Sequence, residues 1–419
     1  MSISSRRLLH PALAALCALG SSAISASPPA APEDPSTGSG PGEPRILAAN
    51  LKTHVEFLAA DALRGRNDGS EGNAQAVKYL REWMETFGLE PGGPDGGWLQ
   101  PFEESILGHP VKGANLIGRL AGSDPELAKE AVIVSAHHDH LGDRYGRIYN
   151  GADDDASGCA LVLELARVLA GRKEKPKRTV YFVTFDAEED GLVGSRHFVQ
   201  SGLVPIRSMA AMLGFDIVGG DFYPGCENRL FLLGGEHSAE LAERAERSGE
   251  GDGLEVRRFG VSLIEPFGRV FPRSDYGAFR DAEVPFLFFS TGTPWYYHTE
   301  YDDPERLNYA KMEKIARYVL KILAGLADGG ARPAFAGGPE PRIEDVRGVL
   351  EACRDLLERR AALGFSAEAL DRLQRHAAEL REMRDEGPYD TARQRRVQTI
   401  LVDLFTIISQ AKLKGESDK

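Results

Sequence analysis

The sequence predicts an α/β fold in which a mainly parallel or mixed central sheet is flanked by helices and followed by an all-helical C-terminal appendage. In the middle of the chain, short apolar runs of strand length alternate with amphipathic stretches of helical length. The runs are apolar almost throughout, which is typical of strands that are buried on both faces of a parallel sheet. The order of the strands is not predicted.

Each element follows from its own pattern. Apolar residues at helical spacing predict two early helices, at residues 46–63 and 73–87. Five apolar runs are the predicted strands, at residues 132–136, 179–185, 209–215, 230–233 and 285–289. Further helices are predicted at residues 157–170, 195–201, 239–248 and 309–327. Apolar stripes such as Leu350, Cys353 and Leu356 predict a helical hairpin or a three-helix module at the C-terminal end.

Composition divides the chain into five segments. We predict a signal peptide at 1–26, a disordered linker at 27–45, a catalytic domain at 46–330, a second linker at 331–342 and a helical module at 343–419. Both linkers are rich in Pro, Gly and Ala, which disfavours packed structure. We interpret the charged helical module as a solvated unit that packs on one face; self-association or partner binding by its helices is the alternative.

The first residues have the pattern of an export signal. Arg6 and Arg7 precede a mostly apolar stretch at residues 8–19, and Ala23 or Ala26 could precede a cleavage point. The stretch is short for a bilayer, which takes ~20 apolar residues to cross. A short uncleaved anchor is the alternative. We therefore expect export to the periplasm or the exterior, with no stable membrane span after the signal is removed.

Charge and cysteine content exclude several classes of protein. The formal net charge of −13 argues against nucleic acid as the main partner, because phosphate binding needs a basic surface. Beyond the signal, the cysteines are Cys159, Cys226 and Cys353. Three scattered cysteines make no disulfide framework and have no metal-binding spacing.

Side chains that commonly bind metals follow the predicted strands. Because ligands bind beyond the carboxyl ends of parallel strands, these side chains should meet at one edge of the sheet. Crowded carboxylates repel each other, and divalent cations remove that conflict. A mixed histidine and carboxylate set without cysteine suits Zn²⁺, with Mn²⁺ or Co²⁺ as possible substitutes. The candidate residues are His137, Asp139, Asp154, Glu188, Glu189, Asp216 and His298.

Four ordered motifs carry a family resemblance. They are Ala-His-x-Asp-His-Leu-Gly, Gly-Ala-Asp-Asp-Asp-Ala-Ser-Gly, Glu-Glu-x-Gly-Leu-x-Gly-Ser and Tyr-His-Thr. Together they resemble the co-catalytic dizinc exopeptidases, a family that includes secreted bacterial aminopeptidases, glutamate carboxypeptidase II and glutaminyl cyclases. The resemblance covers residues 46–327 and implies a zinc-peptidase fold.

The resemblance also implies a ligand set for two zinc ions per chain. His137 and Asp216 would hold the first zinc, and Glu189 and His298 the second. Asp154 would bridge the two ions. The family further implies a cis peptide bond after this bridging aspartate.

By the same resemblance, Glu188 would be the general base that activates a water molecule for attack on a peptide bond. Asp139 would accept the free ring N–H of His137 and fix its tautomer. We interpret Tyr297 as a donor to the oxyanion, with a packed aromatic as the alternative. Arg273 would orient Glu188 or Asp216 towards the α-ammonium of the substrate.

Other polar residues in these motifs have simpler interpretations. His138 and His140 are more typical of surface or hydrogen-bonded loop histidines than of ligands. Asp153 and Asp155 are interpreted as turn residues or as supports for the ligands. Asp186 and Asp190 are also neighbours of the motifs, and we interpret both as caps or solvated loop acids.

The predicted function is hydrolysis of peptides at their amino end. Carboxylates can accommodate a free α-ammonium, whereas a carboxypeptidase needs a cationic clamp, and Arg273 is the one obvious basic residue near the motifs. A carboxypeptidase, a glutaminyl cyclase with one zinc, and a binding module without activity are the alternatives. The expected partners are peptide substrates.

Overall fold

A computed structural model of the chain describes residues 44–411 apart from positions 107, 250–252, 266–271, 338–341 and 387–388. All described residues lie in one compact unit. The predicted signal peptide, nearly all of the linker at 27–45 and part of the linker at 331–342 are outside the described residues. Among the helices that are described, none is long and apolar enough to cross a membrane.

The helices confirm most of the predicted positions. The described residues form eleven α-helices, α1–α11 in chain order: Ala48–Leu58, Glu71–Thr86, Gly158–Ala170, Val193–Ser201, Ala239–Arg247, Tyr276–Asp281, Tyr309–Ala327, Ile343–Glu358, Arg360–Leu363, Ala367–Asp385 and Thr391–Ser409. The first helix is shorter than predicted because it ends at Leu58, and a separate 3₁₀ turn, Asp61–Arg66, follows it.

The strands, β1–β11 in chain order, are Glu90–Pro91, Leu99–Ile106, His109–Leu120, Ala131–His137, Gly142–Arg144, Arg147–Tyr149, Thr179–Phe185, Met209–Phe215, Arg229–Leu233, Glu255–Phe259 and Phe286–Ser290. Nine of them form the central sheet in the order β1-β3-β7-β4-β8-β11-β9-β10, with β2 paired to β3. The other two, β5 and β6, pair with each other.

Four neighbouring strands of the sheet run parallel and determine where the site lies. β4 pairs in parallel with β7 on one side and with β8 on the other, and β8 pairs in parallel with β11. Their carboxyl ends therefore reach the same edge of the sheet. His137 ends β4, and Asp186 and Asp216 directly follow β7 and β8.

These strands are buried on both faces, as predicted. Along β4, Val132 and Val134 point into one apolar core, whereas Ala131 and Ile133 point into the core on the opposite face. All four side chains are at most 3% exposed. Burial on both faces explains why the sequence of the strand is continuously apolar instead of alternating.

The sheet also contains antiparallel strands that the sequence did not predict. β2 and β3 form a hairpin, and β3 pairs antiparallel with β7. β9, which was predicted as a strand, runs antiparallel to β11. Most side chains of β2 are exposed, with Gln100 and Phe102 buried, so the apolar content of the segment is low.

The C-terminal helices are helical as predicted and share a core with the sheet domain. Leu350, Cys353 and Leu356 on α8 are buried together with residues of α10 and α11. The same core includes Tyr223 and Leu263, which precede the helical segment by many residues. The two parts of the chain are therefore joined by apolar packing.

Candidate active site

His137 lies at the centre of a first group of potential metal ligands. The end of β4 places this imidazole in a fully buried position. Its Nε2 atom is 3.1 Å from Oδ1 of Asp154 and 3.8 Å from Oδ1 of Asp216. One ligand atom from each of these three residues lies within 4.8 Å of the other two, so a single metal ion could contact all three. The structure thus brings together the three residues that were predicted for the first zinc.

Asp154 lies in an irregular turn, Ala152–Ser157, that leads into α3. The carboxylate of Asp302 accepts hydrogen bonds from the backbone N–H groups of Asp153, at 2.8 Å, and Asp154, at 3.1 Å. The peptide bond between Asp154 and Asp155 is cis, as the family resemblance implied. Asp154 is buried, and its carboxylate belongs both to the group around His137 and to a second group of potential ligands.

A second ligand group consists of His140, Asp154 and Glu189. Nδ1 of His140 lies 2.8 Å from Oε1 of Glu189. The predicted ligand His298 also lies at this position: its Nε2 is 3.1 Å from Asp154 and 3.3 Å from Glu189. The interpretation of His140 as a surface or hydrogen-bonded loop histidine was wrong, because its side chain is fully buried among the ligands and neither ring nitrogen has a hydrogen-bond partner.

The donor atoms of both groups fit metal ions. Nε2 of His137, Oδ1 of Asp216 and Oε1 of Glu189 are buried and have no hydrogen-bond partner, and the same holds for both ring nitrogens of His140. Buried polar atoms normally have partners, so a cluster of unpaired ones that face each other indicates a ligand. Nitrogen and carboxylate donors without thiolates match zinc. The two groups share Asp154.

Asp139 holds the loop that carries two of the predicted site residues. Its Oδ1 accepts the backbone N–H of Glu188 at 3.1 Å, and its Oδ2 accepts that of Glu189 at 3.2 Å. Nδ1 of His137 is 3.5 Å from Oδ1 of Asp139 and 3.2 Å from its backbone carbonyl oxygen. Asp139 is buried beside the His137 ring, but the ring nitrogen bonds the Asp139 backbone carbonyl instead of the predicted carboxylate, which holds the loop after β7.

Glu188 is placed beside both ligand groups in strongly negative surroundings. Burial raises the pKa of the Glu188 carboxyl well above its usual range; His137 opposes the shift, and Asp216 and Asp275 add to it. Burial likewise raises the pKa of Asp216. A carboxyl group with a raised pKa can both accept and return a proton near neutral pH, as a general acid–base catalyst must.

Tyr297 and Arg273 both line a cavity that reaches Asp216. The ring of Tyr297 stacks on the ring of His298, with 3.8 Å between the centroids. Burial and the nearby carboxylates raise the pKa of the Tyr297 hydroxyl, so it stays protonated and can donate a hydrogen bond. For Arg273 the structure gives a contact of its backbone N–H with the hydroxyl of Tyr276, at 3.3 Å.

Residues that the sequence did not single out support the site. Arg66 is buried, and its guanidinium donates to the carbonyl oxygens of His138, Asn150 and Gly151, which lie in two of the motif loops. Asp302 holds the turn of Asp154, and Asp275 lies close enough to Glu188 to raise its pKa. Neither Asp302 nor Arg66 lies in a sequence pattern that could have identified it.

The remaining polar residues of the motifs have structural roles. Nδ1 of His138 bonds the Thr184 hydroxyl at 3.1 Å, in agreement with its interpretation as a hydrogen-bonded histidine. Asp153 accepts from two backbone N–H groups, and Asp155 accepts from the N–H of His137. Asp186, interpreted as a cap or solvated acid, is buried and accepts from the Asn73 amide at 2.9 Å.

A sequence profile described as peptidase family M28 matches residues 115–323, about half of the chain. This segment includes all the candidate metal ligands from His137 to His298. The chain belongs to peptidase family M28. The resemblance inferred from the four motifs is thereby confirmed, and the helices from residue 343 onward lie outside the matched segment.

The curated relatives that this chain resembles include several proteins described as probable zinc metalloproteases. A "Probable zinc metalloprotease" of Pyricularia oryzae is 31% identical over 248 residues, which cover 55% of this chain and 48% of that protein. The chain spans between 48% and 66% of the length of the first curated relatives it matches.

Two solved structures show the same fold as this M28 chain. The LapA aminopeptidase of Legionella pneumophila has a TM-score of 0.55 and 22% identity, covering 68% of this chain and 73% of that one. A glutaminyl cyclase of Porphyromonas gingivalis has a TM-score of 0.52 and 18% identity, covering 66% of this chain and 98% of that one. At these identities the similarity establishes the fold, and it confirms the predicted sheet flanked by helices.

Proposed function

We propose that this chain is an exported aminopeptidase that uses two zinc ions to release the N-terminal residue of peptides. The observation that carries the proposal is the pair of ligand groups sharing Asp154, with Glu188 beside both. His137 and Asp216 would hold one ion; Glu189 and His298 would hold the other, with His140 adjacent. Mn²⁺ or Co²⁺ could replace zinc at such donors.

In the proposed reaction, Glu188 transfers protons and Tyr297 stabilises negative charge. When bound, the ions lower the pKa of a water molecule and polarise the carbonyl group of the scissile bond. Glu188 accepts a proton from the attacking water and returns it to the nitrogen of the leaving amine. The Tyr297 hydroxyl donates to the developing oxyanion. Water is thus added across the C–N bond, with no net consumption of protons by the chain.

The charge around the site favours an amino end over a carboxyl end. Asp216, Asp275 and Glu188 lie close together: burial raises the pKa of Glu188 and of Asp275, Asp216 adds to both shifts, and Asp275 adds to that of Glu188. An α-ammonium group relieves this repulsion, whereas an α-carboxylate adds to it. We further propose that Arg273 orients one of these carboxylates towards the ammonium group of the substrate.

The proposal that the chain is exported has a separate basis. It rests on residues 1–26, where Arg6 and Arg7 precede an apolar stretch. Fractionation of cells that express the full chain tests it. Recovery of the chain in the periplasm or the medium, without residues 1–26, is the expected result, and retention of the full chain in the cytosol would contradict it.

The enzymatic proposal is tested by metal analysis of the purified chain together with hydrolysis of aminoacyl-nitroanilides. We expect two zinc ions per chain and turnover with aminoacyl substrates. Glu188→Gln should retain both ions and lose at least a hundredfold in turnover, because the base is removed while the ligands stay. Asp190→Asn, in the same loop, is the control and should keep its turnover.

The alternative functions predict other outcomes of the same experiment. A glutaminyl cyclase would hold one zinc ion and convert N-terminal glutamine peptides without hydrolysing other residues. A carboxypeptidase would hold two ions and act on peptides with a free carboxyl end. A binding module would show no turnover with any of these substrates.

A further inference from the structure

A cavity of about 430 Å³ begins beside Asp216 and Tyr297 and extends away from the candidate metal ligands. This volume lies in the range of ~300–1,000 Å³ that is typical of small-molecule pockets. The far wall of the cavity is formed by α8 and α11. These helices lie outside the segment that matches the M28 profile.

The sheet domain lines the cavity with aromatic side chains. Phe222 and Phe231 lie with their ring centroids 6.3 Å apart, and Phe259 is 5.8 Å from Phe231. Phe288, on the parallel strand β11, lines the cavity as well. Aromatic surfaces of this kind favour apolar groups.

The C-terminal helices complete this apolar lining. From α8 come Ala352 and Leu356, and from α11 come Leu401, Leu404, Phe405 and Ile408. The ring of Phe405 lies 5.3 Å from that of Phe222, so the two parts of the chain meet at the cavity. Phe405 remains 36% exposed although it is large and apolar. Such a side chain on the wall of a cavity is available to contact a ligand.

The wall is held in place by specific contacts. The side chain of Gln394 on α11 donates to the Ser262 hydroxyl at 2.6 Å. Asp345 on α8 accepts the backbone N–H of Gly260 at 2.9 Å. Both helices also contribute side chains to the apolar core that includes Tyr223 and Leu263. The wall therefore has a defined position relative to the metal ligands.

Two arginine side chains along the cavity, Arg229 and Arg257, are paired with acids. Arg229 forms ion pairs with Glu255, at 2.7 Å, and with Asp355. Arg257 lies 3.5 Å from Glu351 and 3.7 Å from Glu255. Because these charges are compensated within the chain, the lining favours an apolar occupant over a charged one.

We infer that α8 and α11 form one wall of the substrate pocket and select peptides whose N-terminal residue has a large apolar side chain. The inference rests on the proposed aminopeptidase function. With the α-ammonium group beside Asp216, the side chain of the same residue enters the cavity and contacts Ala352 and Phe405. The helical module thus acts in specificity, rather than in association with a partner.

Two substitutions in the wall test this inference with leucyl-, phenylalanyl- and alanyl-nitroanilide as substrates. Ala352→Trp fills the cavity, so kcat/KM should fall at least tenfold for the leucyl and phenylalanyl substrates and less than twofold for the alanyl one. Phe405→Ala removes apolar contact area and should lower kcat/KM for the phenylalanyl substrate three- to tenfold. Thr399→Ala, an exposed change on α11, is the matched control and should leave all three values unchanged.

Thermal unfolding and zinc content of each variant separate a damaged fold from a changed pocket. Ala352→Trp fills the cavity and Phe405→Ala enlarges it, so the inference can still be tested if one of the two variants fails to fold. Equal losses for all three substrates in a folded variant, or no loss, would overturn the inference while leaving the aminopeptidase proposal intact. No hydrolysis of any substrate by the unaltered chain would overturn both.

Discussion

The imidazole of His140 is fully buried and lies beside a carboxylate that is a candidate zinc ligand. Its Nδ1 atom is 2.8 Å from Oε1 of Glu189 and 3.8 Å from Oδ2 of Asp154. Neither ring nitrogen of His140 has a hydrogen-bond partner. At the scale of a single residue, this position allows His140 either to bind an ion directly or to hold Glu189 in its place.

In both cases, His140→Ala should weaken binding of the second zinc ion. We expect at least a tenfold loss of affinity at one site, which is the usual effect of removing a ligand or the group that orients it. Zinc content after dialysis against metal-free buffer, followed by calorimetric titration with zinc, measures the loss. His138→Ala also removes a buried histidine, and it should retain two ions because His138 bonds Thr184 outside both ligand groups. Two tightly held ions in the His140 variant would contradict the expectation.

At the scale of the element, the site depends on contacts between loops. The loop after β4 and the turn before α3 are joined by Arg66, which follows α1 in the 3₁₀ turn Asp61–Arg66. Its guanidinium donates to the carbonyl oxygens of His138, at 2.9 Å, and Gly151, at 3.0 Å. A third bond, at 2.6 Å, reaches Asn150.

Arg66→Ala should lower the free energy of unfolding by about 3 kcal/mol or more, since several buried carbonyl groups lose their donors at once. Arg64→Ala provides a matched control two residues away. Arg64 is 65% exposed and pairs with Asp143 at the surface, so its loss should cost about 1 kcal/mol or less. Urea unfolding followed by circular dichroism measures both values. Similar losses for the two variants would contradict the assigned role of Arg66.

How well the elements could be predicted depends on their burial. The strands β4, β7 and β8 are apolar on both faces, and their sequences indicated them within one or two residues of their observed ends. β2 has one partly buried face, and polar and apolar residues occur on both faces, so no clear alternation marks the strand. Arg66 and Asp302 act through contacts with distant loops, and such contacts leave no local pattern in a single sequence.

At the scale of the whole molecule, two buried carboxyl groups lie where the helical module meets the sheet domain. Burial raises the pKa of Glu236 to about 7, although the backbone N–H of Val261 bonds its carboxylate at 2.6 Å. Burial also raises the pKa of Asp345 to about 6, and Arg342 opposes both shifts. The charge of Asp345 adds to the shift of Glu236, and the charge of Glu344 adds to the shift of Asp345.

These shifts predict that stability falls as the pH rises. A carboxyl group whose pKa is raised in the folded state stabilises the fold when protonated, and this contribution is lost between its unfolded and folded pKa values. For Glu236 the loss should occur between pH 4.5 and about 7. Glu236→Gln stays neutral and should therefore exceed the unaltered chain in stability by about 3 kcal/mol at pH 8, at ~1.4 kcal/mol per pKa unit.

Urea unfolding of both proteins at pH 5 and pH 8 measures this effect. The stability difference should be small at pH 5 and grow towards pH 8. Glu243→Gln removes an acid that is 59% exposed on α5 and should show no such growth. A difference that is the same at both pH values would show that Glu236 does not titrate in this window.

The two oxygens of the Asp139 carboxylate hold consecutive backbone N–H groups, those of Glu188 and Glu189. The proposed base and a proposed zinc ligand therefore have a common anchor. If the loop opened, proton transfer and metal retention would fail in the same event, rather than one after the other. Partial inactivation by heat or denaturant would then give a mixture of fully competent and fully inert molecules, so the fraction of active sites would decline while the turnover of each remaining site stayed constant.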